Sequence, residues 1–107
     1  MNNRIITIKE SKSGEILASA EKDSGVVFFE GAWYFEPAAV NQERLAMTRR
    51  TYVCPYKGVC YWIDLNLPEH QARDVAWTYF EIKPGYEFIK DKIAFYAGRR
   101  RDTFDEG

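Results

Sequence analysis

The chain has 107 residues, 46% of them apolar and 29% charged, which suits one compact domain with one core. Its formal charge is −1, from 15 basic and 16 acidic residues, so it lacks the basic excess by which proteins neutralise nucleic-acid phosphates. No stretch approaches the roughly 20 apolar residues that span a bilayer, and one histidine with two cysteines cannot build a zinc site of the CxxC…CxxC kind.

The N-terminal "MNNRIITIKE" carries no apolar signal core. With so few cysteines, the expectation is a cytoplasmic protein with free thiols. Arg4 to Glu10 alternates as a half-buried strand, with Ile6 and Ile8 on one face. Ser11 to Gly14 supplies a turn, and "EILASAE" is its partner strand, with Ile16, Ala18 and Ala20 alternating against Leu17 and Ser19.

Asp23-Ser24-Gly25 is a second turn. Two short apolar runs follow, Val26 to Phe29 and Trp33 to Phe35, separated by a tight turn or bulge at Glu30-Gly31. Pro37 to Thr48 is the one helix-like segment, opened by a proline at the first helical position. Its apolar stripe is weak, and a single turn followed by a strand through Leu45 competes with the helix.

Thr51 to Leu65 reads as a hairpin with "PYKG" at its tip. Pro55 presets φ for the turn and Gly58 tolerates positive φ at the exit. A four-residue loop pairs Cys54 with Val59 and puts Cys54 and Cys60 on opposite faces; a five-residue loop puts them on one face. Asn66 to Arg73 reads as a polar loop. "DVAWTYF" is a strand, with Val75, Trp77 and Tyr79 facing one way. Lys83-Pro84-Gly85 is a turn, "DKIAFYAG" is the last clear strand, and the tail from Arg99 reads as frayed.

The count is seven to nine short strands and at most one short helix, with no repeat or linker to divide residues 1–107. The fold class is therefore mostly β, a single small antiparallel domain of barrel or sandwich type.

Candidate chemistry gathers around "CPYKG". Cys54 beside Lys57 reads as an activated thiol or, the favoured alternative, as a small buried hydrophobe. Lys57 reads as an anion or carbonyl contact, screened by Tyr56 and Tyr61. His70, beside Glu69 and Asp74, reads as an exposed loop histidine or, the lesser alternative, as a general acid/base. Trp33, Trp62 and Trp77 are core or cleft walls. The basic knots Arg49-Arg50 and Arg99-Arg100-Arg101 are solvated surface or local anion-binding patches.

The stretches "WYFEPAAV", "TYVCPYKGVCYW", "DVAWTYF" and "IAFYAGR", taken in order, resemble the family called domain of unknown function 427. The resemblance covers nearly the whole chain. It implies a β-tent type fold, similar to methionine sulfoxide reductase B and to the thalidomide-binding domain of cereblon. Many relatives of that fold hold zinc on two CxxC pairs; this chain lacks both, so no metal and no cofactor are carried over. It also has no cysteine after Cys60 for the late catalytic position of the sulfoxide reductases. The nucleotidyltransferase label attached to the family finds no paired acidic metal ligands here. The recurring motif positions that transfer are Cys54, Tyr56, Lys57, Gly58, Trp77, Tyr79 and Tyr96. After "AWTY" the chain departs from the family's proline-rich turn and continues "FEIKPGYEF".

Three functions compete. The favoured one is binding of a small, in one version anionic, molecule in an aromatic-lined pocket near the hairpin, with Tyr56, Lys57, Trp77, Tyr79 and Tyr96 as contacts. The second is an enzyme with Cys54 or Lys57 as nucleophile. The third is a protein-interaction module using a strand edge or the arginines.

Overall fold

The computed structural model describes residues 4–107, which form nine strands in two antiparallel sheets. The smaller sheet has the order β2-β1-β9, built from Ile16–Glu21, Ile5–Glu10 and Thr103–Glu106. The larger has the order β3-β4-β8-β7-β6-β5. In it, β3 is Val26–Phe29, β4 Ala32–Phe35, β5 Leu45–Cys54, β6 Gly58–Leu67, β7 His70–Ile82 and β8 Ile93–Tyr96. Among the described residues no helix is long and apolar enough to cross a membrane.

Period-two alternation on the large sheet feeds two apolar clusters, where composition alone leads one to expect a single core. On one face Trp33, Phe35, Ile63, Leu65, Ile93 and Phe95 pack against Ile6, Ile8 and Leu17 of the small sheet. On the other face Tyr34, Cys54, Cys60, Trp77, Tyr79 and Ala94 form a second cluster, closed at one side by Ile89 and Tyr86. A sheet buried on both faces needs apolar side chains at successive positions. That is why β4 and residues 75–79 of β7 are buried without interruption.

Several expectations change. The helix-like segment is two single turns of 3-10 helix, Pro37–Ala39 and Gln42–Arg44, and the strand reading from Leu45 holds. With no apolar stripe, a helix there had nothing to bury. The polar stretch after Asn66 is strand on both sides of a tight turn at Pro68-Glu69, because Leu67 pairs with His70. Arg50 draws Asp64 and Asp74 together across this region, and a backbone irregularity with φ 59 at Asp74 shifts the register. Val75 therefore joins Ala76 in the inter-sheet core, while Trp77 and Tyr79 face the other way. In β2 a bulge opposite Ile8 and Lys9 buries Leu17 and Ala18 together and breaks the expected alternation. The tail is not frayed: Thr103–Glu106 pairs with β1, and Asp105 accepts a 2.7 Å hydrogen bond from Trp33 Nε1.

The "CPYKG" hairpin has a three-residue tip. Cys54 pairs with Gly58, Val53 with Val59 and Tyr52 with Cys60. Neither the four-residue nor the five-residue loop is thus observed, and the three-residue tip puts Cys54 and Cys60 on one face; both are free and buried. Gly58 decides this. Its φ is 131°, and a Cβ there would collide with the carbonyl oxygen of Glu81 on β7. The contrasting Gly31 lies in a two-residue turn with Glu30, both at positive φ as a type I′ hairpin turn requires, and a Cβ on it would meet nothing within 4 Å.

Chemical denaturation of two variants checks that contrast. Gly58→Ala should lose at least about 3 kcal/mol, since strain and backbone collision add. Gly31→Ala should lose only roughly 1 kcal/mol, the ordinary cost of a left-handed residue.

Candidate functional site

The large sheet's outer face is hollowed by a cleft of about 270 Å³. Its floor follows from register. Across β6, β7, β8 and β4 the paired residues run Trp62, Trp77, Ala94, Tyr34. The small Ala94 leaves a notch, and Trp77 Nε1 donates across it to Tyr34 Oη at 3.3 Å. The next row runs Tyr52, Cys60, Tyr79. Tyr96 stands 4.7 Å from Trp77, ring centre to ring centre, and Trp62 stands 5.8 Å from it.

Lys57 reaches in from the hairpin tip. Its side chain is only 16% exposed and is ion-paired with Glu30 from the β3–β4 turn. Its Nζ lies 5.7 Å from the Phe29 ring centre and 5.9 Å from that of Tyr79. Burial pulls the lysine pKa down, but the hydrogen bond to Glu30 and the charge of that carboxylate outweigh it, and the net shift is upward. The amine is therefore a fixed ammonium at neutral pH. Burial pushes up the Tyr34 and Tyr79 phenols, so both remain neutral donors.

The thiols diverge. Burial raises the Cys54 pKa, yet hydrogen bonds from the backbone N–H groups of Lys57 and Tyr56, helped by the Lys57 charge, bring it below the ordinary value. Burial of Cys60 prevails over its hydrogen bonds and raises it. Cys60 lies on the cleft wall; Cys54 is packed beneath the turn in the same cluster.

Of the contacts expected from sequence, Lys57, Trp77, Tyr79 and Tyr96 meet in this one cleft. Tyr56 does not: it is 74% exposed at the hairpin tip, because the three-residue loop turns it outward. Nor does Tyr61 screen Lys57; it pairs with Thr78 and packs on Phe80, and Phe29 takes that place. Sequence reasoning missed Glu30, Tyr34, Tyr52 and Cys60 as cleft-lining residues. Period-two counting from Trp62 would have flagged Cys60, but nothing local links Glu30 to a lysine 27 residues away.

Other candidates have structural partners. Trp33 belongs to the inter-sheet core and Trp62 to the cleft. Arg50 is bound by Asp64 and by Asp74 at 2.8 Å. His70 is not an exposed loop residue: it begins β7, and its Nε2 lies 3.3 Å from Asp102. Among the described residues no three His, Cys, Asp or Glu side chains are grouped to hold a metal ion.

A protein-family model described as a domain of unknown function (DUF427) matches residues 6–106. No curated protein matches the chain.

Thiol alkylation over graded pH, in Cys54→Ala and Cys60→Ala variants, reads the two thiols separately. The midpoint for Cys54 should fall below that of a free cysteine peptide and the midpoint for Cys60 above it. Coincident midpoints would contradict the electrostatic difference between them.

Proposed function

We propose that this chain, which belongs to the DUF427 family, is a binding protein for a small molecule with a flat body and a polar oxygen. The observation that carries the reading is the meeting of two tryptophans, four tyrosines and one largely shielded ammonium in a single cleft. Ligand sites of this kind combine apolar and aromatic walls with few, well-placed polar groups. At about 270 Å³ the cleft suits one or two rings.

Trp62, Trp77 and Tyr96 give the ligand's faces something to lie on, and stacking and edge contacts with them supply most of the affinity. Lys57 gives orientation. Its partner Glu30 is half exposed on a turn, so a ligand carbonyl, carboxylate or phosphate oxygen can take its place while Glu30 turns to water. The neutral phenols of Tyr34 and Tyr79 donate to further acceptors.

A second reading, a nucleophilic Cys54, is supported by its lowered pKa. It ranks below binding because the thiol is buried beneath the turn and Cys60, not Cys54, borders the cleft. Lys57 is the weaker nucleophile, since its raised pKa leaves little free amine.

A thermal-shift screen of one- and two-ring fragments bearing a carbonyl or acid oxygen tests the binding reading, because ligands of the folded state raise Tm by mass action. Hits should lose at least roughly tenfold in affinity in Lys57→Met and in Tyr96→Leu, with circular dichroism unchanged. Hits that bind both variants as tightly as the parent would place binding outside the cleft and defeat the proposal.

A further inference from the structure

Tyr96 borders two cavities. One is the aromatic cleft; the other, of about 350 Å³, lies beside it and is lined by Asp74, Asp102, Arg100 and Arg101 among others. The guanidinium carbon of Arg100 sits 4.5 Å from the Tyr96 ring centre. A cation on an aromatic face is held in position with its N–H edges free for other partners.

Among the described residues the charge balance of this second cavity leaves Arg100 and Arg101 over, and of the two it is Arg100 that lies on a ring of the cleft. Asp74 is taken by Arg50 at 2.8 Å, and Asp102 faces His70 at 3.3 Å. Among the described residues no carboxylate lies within 4.0 Å of a side-chain nitrogen of Arg100. Lys57, at the far side of Trp77, already has Glu30. The cleft thus has one neutralised cation at the hairpin end and one unneutralised cation past Tyr96.

We propose that Arg100 is the oxyanion anchor of the site, so that the ligand class is a flat one- or two-ring acid. The inference rests on the cleft reading above. The rings lie against Trp62, Trp77 and Tyr96, and a carboxylate or phosphate extends past Tyr96 onto the Arg100 guanidinium, whose forked donors match either group. Arg100 sets specificity for charge, and the aromatic walls set affinity for shape. The contact is solvent-facing, so it weakens as salt rises. Arg99 does not share this role, because its guanidinium lies over Phe104, which is not on the cleft wall.

Calorimetric titration with 2-naphthoate, 2-naphthyl phosphate and the neutral 2-naphthamide tests the assignment on the full chain. The parent protein should bind at least one of the two acids about tenfold more tightly than the amide, the scale of a charge-assisted hydrogen bond. In Arg100→Gln that ratio should fall to about one, while Arg99→Gln and Arg101→Gln keep most of it. Naphthoate against naphthyl phosphate shows which acid group the anchor prefers. A ratio that survives in Arg100→Gln, that vanishes only in Arg101→Gln, or that is absent in the parent overturns the anchor and leaves the cleft reading standing. Failure of all three compounds to bind overturns the cleft reading, and the anchor with it.

Discussion

The register of β6 is the constraint on which the outer face depends. Gly58 opens that strand at φ 131°, pressed so close to the Glu81 carbonyl that no side chain fits between them. This contact joins the hairpin tip to β7, and the Lys83 N–H bonded to the Lys57 carbonyl at 2.7 Å ties the same point to the segment after β7. With the strand so placed, Cys60 and Trp62 face the cleft and Ile63 and Leu65 face the small sheet. A slip of one residue would exchange the two sets and bury the wrong side chains on both faces. Proline and lysine in the tip are the freer choices; the glycine is not.

Two-sided burial explains why a chain this small has room for a cleft at all. The small sheet covers the inner face, so the outer face need not supply the whole core. It can keep small residues, Ala32 and Ala94, between large rings, and the hollow is what remains. The rings around it are held by one another: Tyr34 meets Trp77 edge-on at 6.2 Å, and Trp62 meets Trp77 edge-on at 5.8 Å. Aromatic pairs in such geometry add stability beyond their buried area and resist collapse into the notch.

Many charges in this molecule are paired. Glu10 is buried with both oxygens accepting N–H groups from Lys12 and Ser13, and its pKa is lowered: burial opposes ionisation, but those bonds prevail. Arg44 meets Glu15, Arg50 meets two aspartates and Lys57 meets Glu30. Such pairs position loops more than they add stability. Against this background Arg100 stands out by its place: it has no carboxylate partner among the described residues and lies on Tyr96, a ring that borders the cleft.

What the sequence determined by itself is the local grammar. Alternation in "IAFY" put Ile93 and Phe95 on one face and Ala94 and Tyr96 on the other, and proline, glycine and aspartate marked most turns. Those features are legible because they depend on neighbours two to four residues apart. The motif residues Lys57, Trp77, Tyr79 and Tyr96 were likewise legible as a set through family resemblance. Tertiary structure alone decided the rest. The length of the hairpin tip, the β-pairing of the tail, the outward turn of Tyr56, the pairing of Glu30 with Lys57 and the stacking of Arg100 on Tyr96 depend on contacts between strands distant in sequence. Such contacts are set by which faces can be buried together, and no local period in the chain encodes them.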